Sequence, residues 1–340
     1  MSRAPGPAQK TGSGLARPWL VADIGGTNAR FGWRAEGSSE VDHVVSFAGS
    51  DFAGPTAAAR AYLSDLADRL GSAYRPPNAA AFAVATAVSA DRVALTNSGW
   101  NFSRQAVCRE LALAELIVIN DFEALALSLP GLRPAQWRAI GKAPGVAAHA
   151  AMAVIGPGTG LGVAGIVPTA AGWVAVPGEG GHASLAPADD FDSALLAVVR
   201  REHAHVSAER LLSGIGLPVL HAAVASVLGQ RCAPLNAEQI VEHGLSRQDP
   251  VCERTLDAFC ALLGSFAGSV ALLLGARGGV FIGGGIVPRL GERFEASEFR
   301  ARFEAKGRFQ DYLRAIPTAV ITDTLVALTG ASVALERHRL

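Results

Sequence analysis

The sequence has few cysteines and no excess of charge of either sign. Its four cysteines, Cys108, Cys232, Cys252 and Cys260, are scattered through 340 residues, and no two form a CxxC pair. This pattern argues against a disulfide framework and favours reduced thiols in a cytoplasmic protein. No Cys/His cluster has the spacing of a structural zinc site. The 30 basic and 30 acidic residues cancel, which argues against a broad nucleic-acid-binding face.

A long uninterrupted apolar run is also missing. The most apolar long segment, residues 261–276, contains three glycines and two serines. It stops short of the roughly 20 residues that a membrane span needs, so we expect a buried helix there. Residues 1–18 are rich in Gly, Pro, Ala and Ser and lack the apolar core of a signal peptide. We expect them to form a disordered tail.

The two common nucleotide-binding motifs are absent or out of place. No glycine-rich turn is followed by the Gly-Lys-Ser/Thr triplet of a P-loop. A GxGxxG match occurs at Gly160, Gly162 and Gly165. That motif should open a helix, whereas residues 166–168 have the character of a strand. We therefore treat the match as false.

What the sequence does contain is a repeated pattern of strands and helices. Residues 19–34 and 151–167 each have the pattern of a strand, a glycine turn and a strand, and alternating strands and helices follow both. This predicts an α/β fold of duplicated lobes with an interlobe cleft. The predicted boundaries are a tail at 1–18, a small lobe of 19–131 plus 318–340, and a large lobe of 132–317.

Individual elements are predicted from the same patterns. Strands are expected at 78–88, 92–104 (running into a polar loop), 117–119, 278–288 and 317–323. Helices are expected at 55–71, from about 122 to Pro130, over most of 189–276 and at 325–336.

Three glycine-rich turns lie at predicted strand ends, at residues 23–28 (DIGGTN), 156–162 (GPGTGLG) and 283–285 (GGG). Such turns can present backbone N–H groups to an anion, although a single one is usually only a hairpin. Three of them in a two-lobed α/β chain favour a nucleotide cleft. Asp23 precedes the first turn and could hold Mg²⁺, through water, or could cap the amides of the turn.

Asn120 and Asp121 lie between a predicted buried strand and a helix. Both residue types are favoured as helix N-caps, which is the ordinary explanation for them. An aspartate at the carboxyl end of a strand, facing a cleft, is also placed to accept a hydroxyl proton.

Glu179 and His182 have the Glu-x-x-His spacing of some metal sites, but that spacing aligns two ligands only on a helix. The segment around them, PGEGGHASLAP, has two glycines between the pair and a proline on each side. These residues disfavour a helix, so we expect a loop and no metal pair.

Eight segments, taken in order, resemble motifs of the bacterial ATP-dependent glucokinases of the sugar kinase/actin superfamily. They are VADIGGTNARFGW, LTNSGWNFS, VINDFEALAL, GPGTGLGVA, PGEGGHASLAP, HVSAERLLSGIGL, GGVFIGGGIVPRL and FEAKGRF. The resemblance covers about residues 19–335. The zinc-binding cysteine cluster of the related repressor/open-reading-frame/kinase branch is absent, which favours the glucokinase branch proper.

The resemblance implies actin-like (ribonuclease H-like) lobes and transfer of the γ-phosphoryl group of ATP to the 6-hydroxyl of glucose, the first step of glycolysis. It implies Asp121 as the general base and sugar binding by Asn97, Asn120, Asp121, Glu179, His182 and Glu209. It implies nucleotide binding by Asp23, Ile24, Gly25, Gly26, Thr27, Asn28, Gly158, Thr159, Gly160, Gly284 and Gly285, which is compatible with the water-mediated Mg²⁺ contact considered above for Asp23. A cytoplasmic homodimer with no membrane or nucleic-acid partner is also implied.

Three of these assignments have alternatives. Glu209 could be an ordinary helix-surface glutamate. The whole chain could be a non-catalytic sugar sensor, although sensors of this type often carry a DNA-binding helix pair. It could also be a phosphotransferase for a carboxylate or a polyphosphate, which would need Arg or Lys in the pocket.

Overall fold

The computed structural model describes residues 17–35, 38–86, 88, 90–95, 98–142 and 147–339. The chain divides into two compact units. The first unit contains residues up to Ile119 together with the C-terminal residues from Ala334, and the second contains Asn120–Val333. The predicted tail lies almost entirely outside the described residues. The lobe boundaries expected at 131 and 318 stay a prediction.

The first unit is built on a five-stranded sheet with the order β3-β2-β1-β4-β7. Strands β1, β2 and β3 are antiparallel neighbours, whereas β4 runs parallel to β1. Its elements are β1 (Trp19–Ile24), β2 (Asn28–Arg34), β3 (Asp42–Ala48), α1 (Pro55–Leu70), β4 (Ala79–Val84), β5 (Arg92–Ala94), β6 (Asn101–Ser103), α2 (Arg104–Leu111) and β7 (Glu115–Asn120).

The second unit is built on a six-stranded sheet with the order β11-β10-β9-β12-β13-β8. Its elements are α3 (Asp121–Ser128), β8 (Trp137–Ile140), β9 (Met152–Pro157), β10 (Leu161–Thr169), β11 (Gly172–Gly178), α4 (Asp190–Val199), α5 (Leu217–Val227), α6 (Ala237–Leu245), α7 (Pro250–Leu274), β12 (Gly279–Ile282), α8 (Ile286–Leu290), α9 (Glu292–Glu295), α10 (Phe299–Glu304), α11 (Gln310–Arg314) and β13 (Thr318–Ile321). The last helix, α12 (Val326–His338), begins in this unit and ends in the first.

The two sheets share one strand arrangement. In each, a three-stranded antiparallel meander is followed by a strand that pairs in parallel with the first strand of the meander, and then by a fifth strand. In the second unit, β8 adds a sixth strand at the far edge, antiparallel to β13. The predicted duplication is therefore present in the topology, although the two halves share no extended stretch of sequence.

Burial explains why the central strands were predictable. All six residues of β4 (AAAFAV) are inaccessible to solvent, as expected for a central strand with both faces covered. The segment at 92–104 differs from its prediction, because β5 and β6 pair as a short antiparallel hairpin. The polar residues between them suggested a loop, and three-residue strands have too few side chains to show an alternation.

Helix α7 forms the centre of the second core. Among the described residues it is the one helix long and apolar enough to cross a membrane, yet 78% of its most apolar window is buried in the protein. A Cβ at Gly264 would lie 2.1 Å from the carbonyl oxygen of Phe299, so this glycine permits close packing of α10 on α7. The predicted buried helix is confirmed, with its start at Pro250.

Candidate active site

Helix α3 begins directly after β7, with no intervening turn. The Oδ1 atom of Asn120 accepts hydrogen bonds from the backbone N–H of Phe122 (2.9 Å) and Glu123 (3.3 Å), so Asn120 is the N-cap. Asp121 is the first helical residue, is partly buried, and accepts a hydrogen bond from the N–H of Phe122 at 3.0 Å. The capping explanation therefore holds for Asn120, and Asp121 occupies the first helical position.

Phe122 fixes this helix against the glycine-rich strands of the second unit. A Cβ at Gly162 would lie 2.0 Å from its ring, and one at Gly156 would lie 2.3 Å from it. Helix α3 packs on β9, β10 and β11, the strands that lead to the turn at 158–160 and to the loop at 179. Gly156 and Gly162 therefore serve to seat the Phe122 ring, which places the N-terminus of α3 over these strands.

The turn between β9 and β10 is held by the segment around Glu209. The N–H of Leu161 donates to Oε2 of Glu209 at 2.8 Å, and a Cβ at Gly160 would lie 2.4 Å from the same oxygen. The N–H of Gly214 donates to the carbonyl of Gly158 at 2.8 Å. Gly160 thus leaves room for the Glu209 carboxylate rather than only freeing backbone N–H groups for an anion.

Glu209 also reaches the loop that holds Glu179 and His182. Its backbone N–H donates to the carbonyl of Gly181 at 2.9 Å, and its Oε1 lies 3.8 Å from Nδ1 of His182. The His182 side chain is 60% exposed, whereas that of Glu209 is 22% exposed. The structure therefore brings Glu209 and His182 together, and it joins both to the turn at 158–160.

The segment PGEGGHASLAP is not an α-helix, as predicted, but Gly180–His182 form one turn of 3-10 helix. The two glycines allow this turn to lie directly on β10. A Cβ at Gly181 would meet the carbonyl oxygen of Leu161 at 1.9 Å, and one at Gly180 would meet Val163 at 2.9 Å. Glu179 precedes the turn and is exposed.

A pocket of about 390 Å³ opens beside these residues. Its lining includes His182 and Glu209, together with several polar residues that the sequence analysis did not select. These are Glu202, His203, His205, Ser207 and Arg210. His205 contacts the predicted loop directly, since its Nε2 lies 3.1 Å from the Ser184 hydroxyl. The polar segment EHAHVSAER could have indicated these residues, but two histidines in an irregular segment do not by themselves indicate a binding site.

The third glycine-rich turn packs against the second. Gly284 has φ +76°, and a Cβ there would lie 2.3 Å from the carbonyl oxygen of Pro157. The N–H of Gly283 donates to the carbonyl of Ile155 at 2.8 Å. Gly285 follows as the N-cap of α8. Within the second unit, the predicted phosphate turn and the predicted adenosine turn are therefore neighbours.

In the first unit, the turn at 23–28 is closed by its own backbone, since the N–H of Gly25 donates to the carbonyl of Asn28 at 2.9 Å. Asp23 does not cap the amides of the turn. Its Oδ2 instead accepts from Nη1 of Arg30, its cross-strand partner on β2, at 3.0 Å. Burial raises the pKa of Asp23, and Arg30 lowers it to a smaller extent.

The other predicted residues of this turn differ in what they expose. Thr27 and Asn28 are exposed, whereas the Ile24 side chain is fully buried in the core. A role of Ile24 in nucleotide binding is therefore restricted to its backbone. Asn97, predicted to bind sugar, lies outside the described residues.

Comparison with known proteins identifies the family. A family model described as Glucokinase matches residues 20–338. This chain belongs to the glucokinase family. It is 45% identical over 326 residues to the glucokinase of Aromatoleum aromaticum, covering 96% of this chain and 97% of the relative. It is 44% identical over 321 residues to a glucokinase of Neisseria meningitidis, covering 94% and 95%.

A solved structure agrees with this membership. The crystal structure of glucokinase from an Antarctic psychrotroph matches with a TM-score of 0.85 and 40% identity, covering 94% of this chain and 99% of that one. The predicted family, the actin-like α/β fold class and the enzyme class, an ATP-dependent hexose kinase, are thereby confirmed for this glucokinase-family chain.

Proposed function

We propose that this chain is a glucokinase in which Asp121 takes the proton of the 6-hydroxyl of glucose while that oxygen accepts the γ-phosphoryl group of ATP. The observation that carries the proposal is the position of Glu209. Its carboxylate contacts the N–H of Leu161 after one glycine turn and lies beside His182 on the predicted sugar loop. One side chain therefore connects the predicted phosphate and sugar subsites.

The base assignment follows from what phosphoryl transfer requires. The reaction needs positioned substrates, neutralised phosphate charge and one proton acceptor. Asp121 presents a partly buried carboxylate at the N-terminus of α3, and Phe122 seats that helix on the strands of the glycine turn. A rigidly seated carboxylate can hold the acceptor hydroxyl in line and accept its proton. Asn120 is proposed to bind a neighbouring hydroxyl, with its Oδ1 engaged in the cap.

The predicted sugar residues suit a neutral, hydroxyl-rich substrate. Carboxylates and imidazoles form directional, charge-assisted hydrogen bonds with hydroxyl groups. A site built in this way discriminates strongly, because a missing or inverted hydroxyl leaves its partner in the site unpaired. Glu179, His182 and Glu209 are proposed to bind hydroxyls near the anomeric end, and Asn97 to line the same pocket.

The predicted nucleotide residues suit ATP with Mg²⁺. We propose that the turns at 23–28 and 158–160 contact phosphates and that Gly284 and Gly285 lie by the adenosine. Asp23 fits Mg²⁺ in donor type, since carboxylate oxygen is a preferred ligand and a water-mediated contact suits this ion. Its ion pair with Arg30 uses Oδ2. When bound, Mg²⁺ neutralises charge on the transferring phosphates.

A cytoplasmic homodimer that feeds glucose 6-phosphate into glycolysis completes the proposal. Sedimentation analysis of the purified protein measures the assembly directly. A monomer at micromolar concentration would contradict the proposed homodimer and would not bear on the proposed chemistry of the site.

A coupled assay with a panel of acceptors tests the substrate assignment. We expect Mg-ATP-dependent phosphorylation of glucose at least tenfold above mannose, galactose and N-acetylglucosamine in kcat/KM, in line with hydroxyl-specific recognition. Acetate and polyphosphate belong in the panel because Arg210 lines the pocket. Turnover of either in preference to glucose would replace the glucokinase assignment. Glucose binding in calorimetry without turnover would favour a sugar sensor.

A further inference from the structure

Three potential metal ligands converge where helix α5 meets the start of helix α7, in the core of the second unit. His221 lies on α5, Asp249 is the N-cap of α7, and Cys252 lies in its first turn. One nitrogen, one carboxylate oxygen and one sulfur from these residues lie within 4.8 Å of one another. Asp249 comes 28 positions after His221, so the cluster has no recognisable spacing in the sequence.

The separation of the sulfur and the nitrogen matches a shared tetrahedral ion. The Cys252 Sγ atom lies 3.6 Å from Nε2 of His221. Bonds of about 2.3 Å to sulfur and about 2.0 Å to nitrogen, at a tetrahedral angle, put these two atoms about 3.5 Å apart. The distance between these two atoms, which is also that of a sulfur–nitrogen hydrogen bond, is therefore compatible with one shared ion.

The carboxylate is held in place by the start of α7. Oδ1 of Asp249 accepts from the N–H of Val251 at 2.7 Å and from the N–H of Cys252 at 3.1 Å. These bonds fix Asp249 relative to the cysteine three residues later and employ one of its two oxygens. Hydrogen-bonded carboxylates of this kind orient metal ligands in known sites.

The burial of these residues favours a metal site over a catalytic triad made of the same three residue types. His221 is 2% exposed and Cys252 is fully buried, so an organic substrate cannot reach the sulfur. Asp249 is half-buried and is the most exposed of the three residues. The His221 imidazole already contacts the Cys252 sulfur, and the Asp249 carboxylate already accepts two backbone hydrogen bonds, so a cation would add a further partner to each.

We propose that His221, Asp249 and Cys252 bind one Zn²⁺ ion, which ties α5 to the N-terminus of α7. Thiolate and imidazole donors select zinc over the Mg²⁺ of the phosphoryl-transfer reaction. Binding forms a zinc–sulfur bond and releases the thiol proton of Cys252 to solvent. A water completes the coordination. The site is structural, and it is independent of the sugar and phosphate residues.

Cobalt titration of the chelator-treated full-length protein tests this site. We expect one equivalent of Co²⁺ to bind and to produce the near-ultraviolet sulfur-to-cobalt charge-transfer band, which added Zn²⁺ then abolishes. The Cys252→Ser variant should lose that band. The matched control is Cys260→Ser, because Cys260 lies on the same helix and is equally buried. It should keep the band, as should His182→Ala.

A second variant and a second measurement keep the test valid if Cys252→Ser folds poorly. The Asp249→Asn variant keeps a capping oxygen for α7, so its circular dichroism should stay native while its Co²⁺ affinity falls at least tenfold. Zn²⁺ should raise the Tm of the wild type and leave that of Cys252→Ser unchanged. Absence of stoichiometric Co²⁺ binding, or a charge-transfer band that survives in Cys252→Ser, would overturn the proposal.

Discussion

The two roles proposed for Glu209, holding the turn at 158–160 and binding the sugar, can be separated by substitution. Glutamine at this position can still accept from the Leu161 N–H, so the turn at 158–160 should persist. The proposed charge-assisted bond from Glu209 to the sugar would be lost, which costs about 1.5–3 kcal/mol. In Glu209→Gln we expect the KM for glucose to rise roughly tenfold to a hundredfold, with the KM for ATP changed little.

Alanine at the same position removes the acceptor of the turn as well. The KM for ATP should therefore rise in Glu209→Ala but not in Glu209→Gln, as steady-state kinetics with each substrate varied in turn will show. Equal KM values for ATP in the two variants would contradict the link between Glu209 and the phosphate turn.

Asp23 makes a prediction about pH. Its folded pKa is raised by burial, so its contribution to stability is fully present below the unfolded pKa of about 3.9 and is lost as pH rises through the folded pKa. The free energy of unfolding of Asp23→Asn should therefore increase relative to that of the wild type as pH rises. Urea unfolding at a series of pH values measures the difference.

Asp189 supplies a control of opposite sign. Its pKa is lowered by the backbone N–H of Asp192, with Arg302 adding to the effect. The contribution of Asp189 to stability is present above its unfolded pKa of about 3.9 and is lost as pH falls through the folded pKa. The free energy of unfolding of Asp189→Asn should thus decrease relative to that of the wild type as pH rises. If the free energies of unfolding of both variants, each relative to the wild type, changed with pH in the same direction, the raised pKa of Asp23 would be refuted.

Single residues were predictable where chemistry and position agreed. Asp121 and Asn120 follow a buried strand, so their location at the start of α3 could be inferred from the letters alone. The ion pair of Asp23 with Arg30 could not, because it depends on the register of β1 and β2. His203 and His205 were missed because an irregular backbone, and no periodic element, brings them to the pocket.

At the scale of elements, the cap of α3 can be tested apart from catalysis. Asn120→Ala removes the acceptor for the N–H groups of Phe122 and Glu123 and should lower the free energy of unfolding by about 0.5–2 kcal/mol. Asn120→Asp keeps a capping oxygen and should unfold like the wild type in urea. Both variants should bind glucose more weakly if Asn120 also contacts the sugar.

A stable Asn120→Ala protein would show that the packing of Phe122 alone positions α3. That packing also changes the interpretation of the glycine-rich segment GPGTGLG. Gly156 and Gly162 accommodate an aromatic ring, and Gly160 accommodates a carboxylate. The sequence indicated a glycine turn correctly, but the neighbours that require each glycine come from distant segments.

Elements with one exposed face were the ones that escaped prediction. Strands β3 and β11 lie at sheet edges, and their residues are mostly half-buried or exposed. Edge strands lack the continuous apolar run that identified β4. The terminal glycines and the proline of β11 resemble a turn in the sequence.

At the scale of the whole molecule, the repeated strand–turn–strand pattern was enough to predict two α/β units. The matching strand orders of the two sheets bear this out. The cluster of His221, Asp249 and Cys252 shows the opposite case. Its three side chains meet only because α5 packs on α7, so the spacing of the residues in the sequence did not indicate the cluster.

The assignment of Asp121 as general base is the central claim, and a neighbouring carboxyl provides a matched comparison. Glu123 lies in the same first turn of α3, and burial raises its pKa, which makes it the competing proton acceptor. The decisive measurement is kcat for glucose phosphorylation by Asp121→Asn and Glu123→Gln, both checked for native circular dichroism. We predict that Asp121→Asn loses about 10²–10⁴ in kcat while Glu123→Gln stays within a few-fold of the wild type. Near-normal turnover in Asp121→Asn, or a larger loss in Glu123→Gln, would contradict the account.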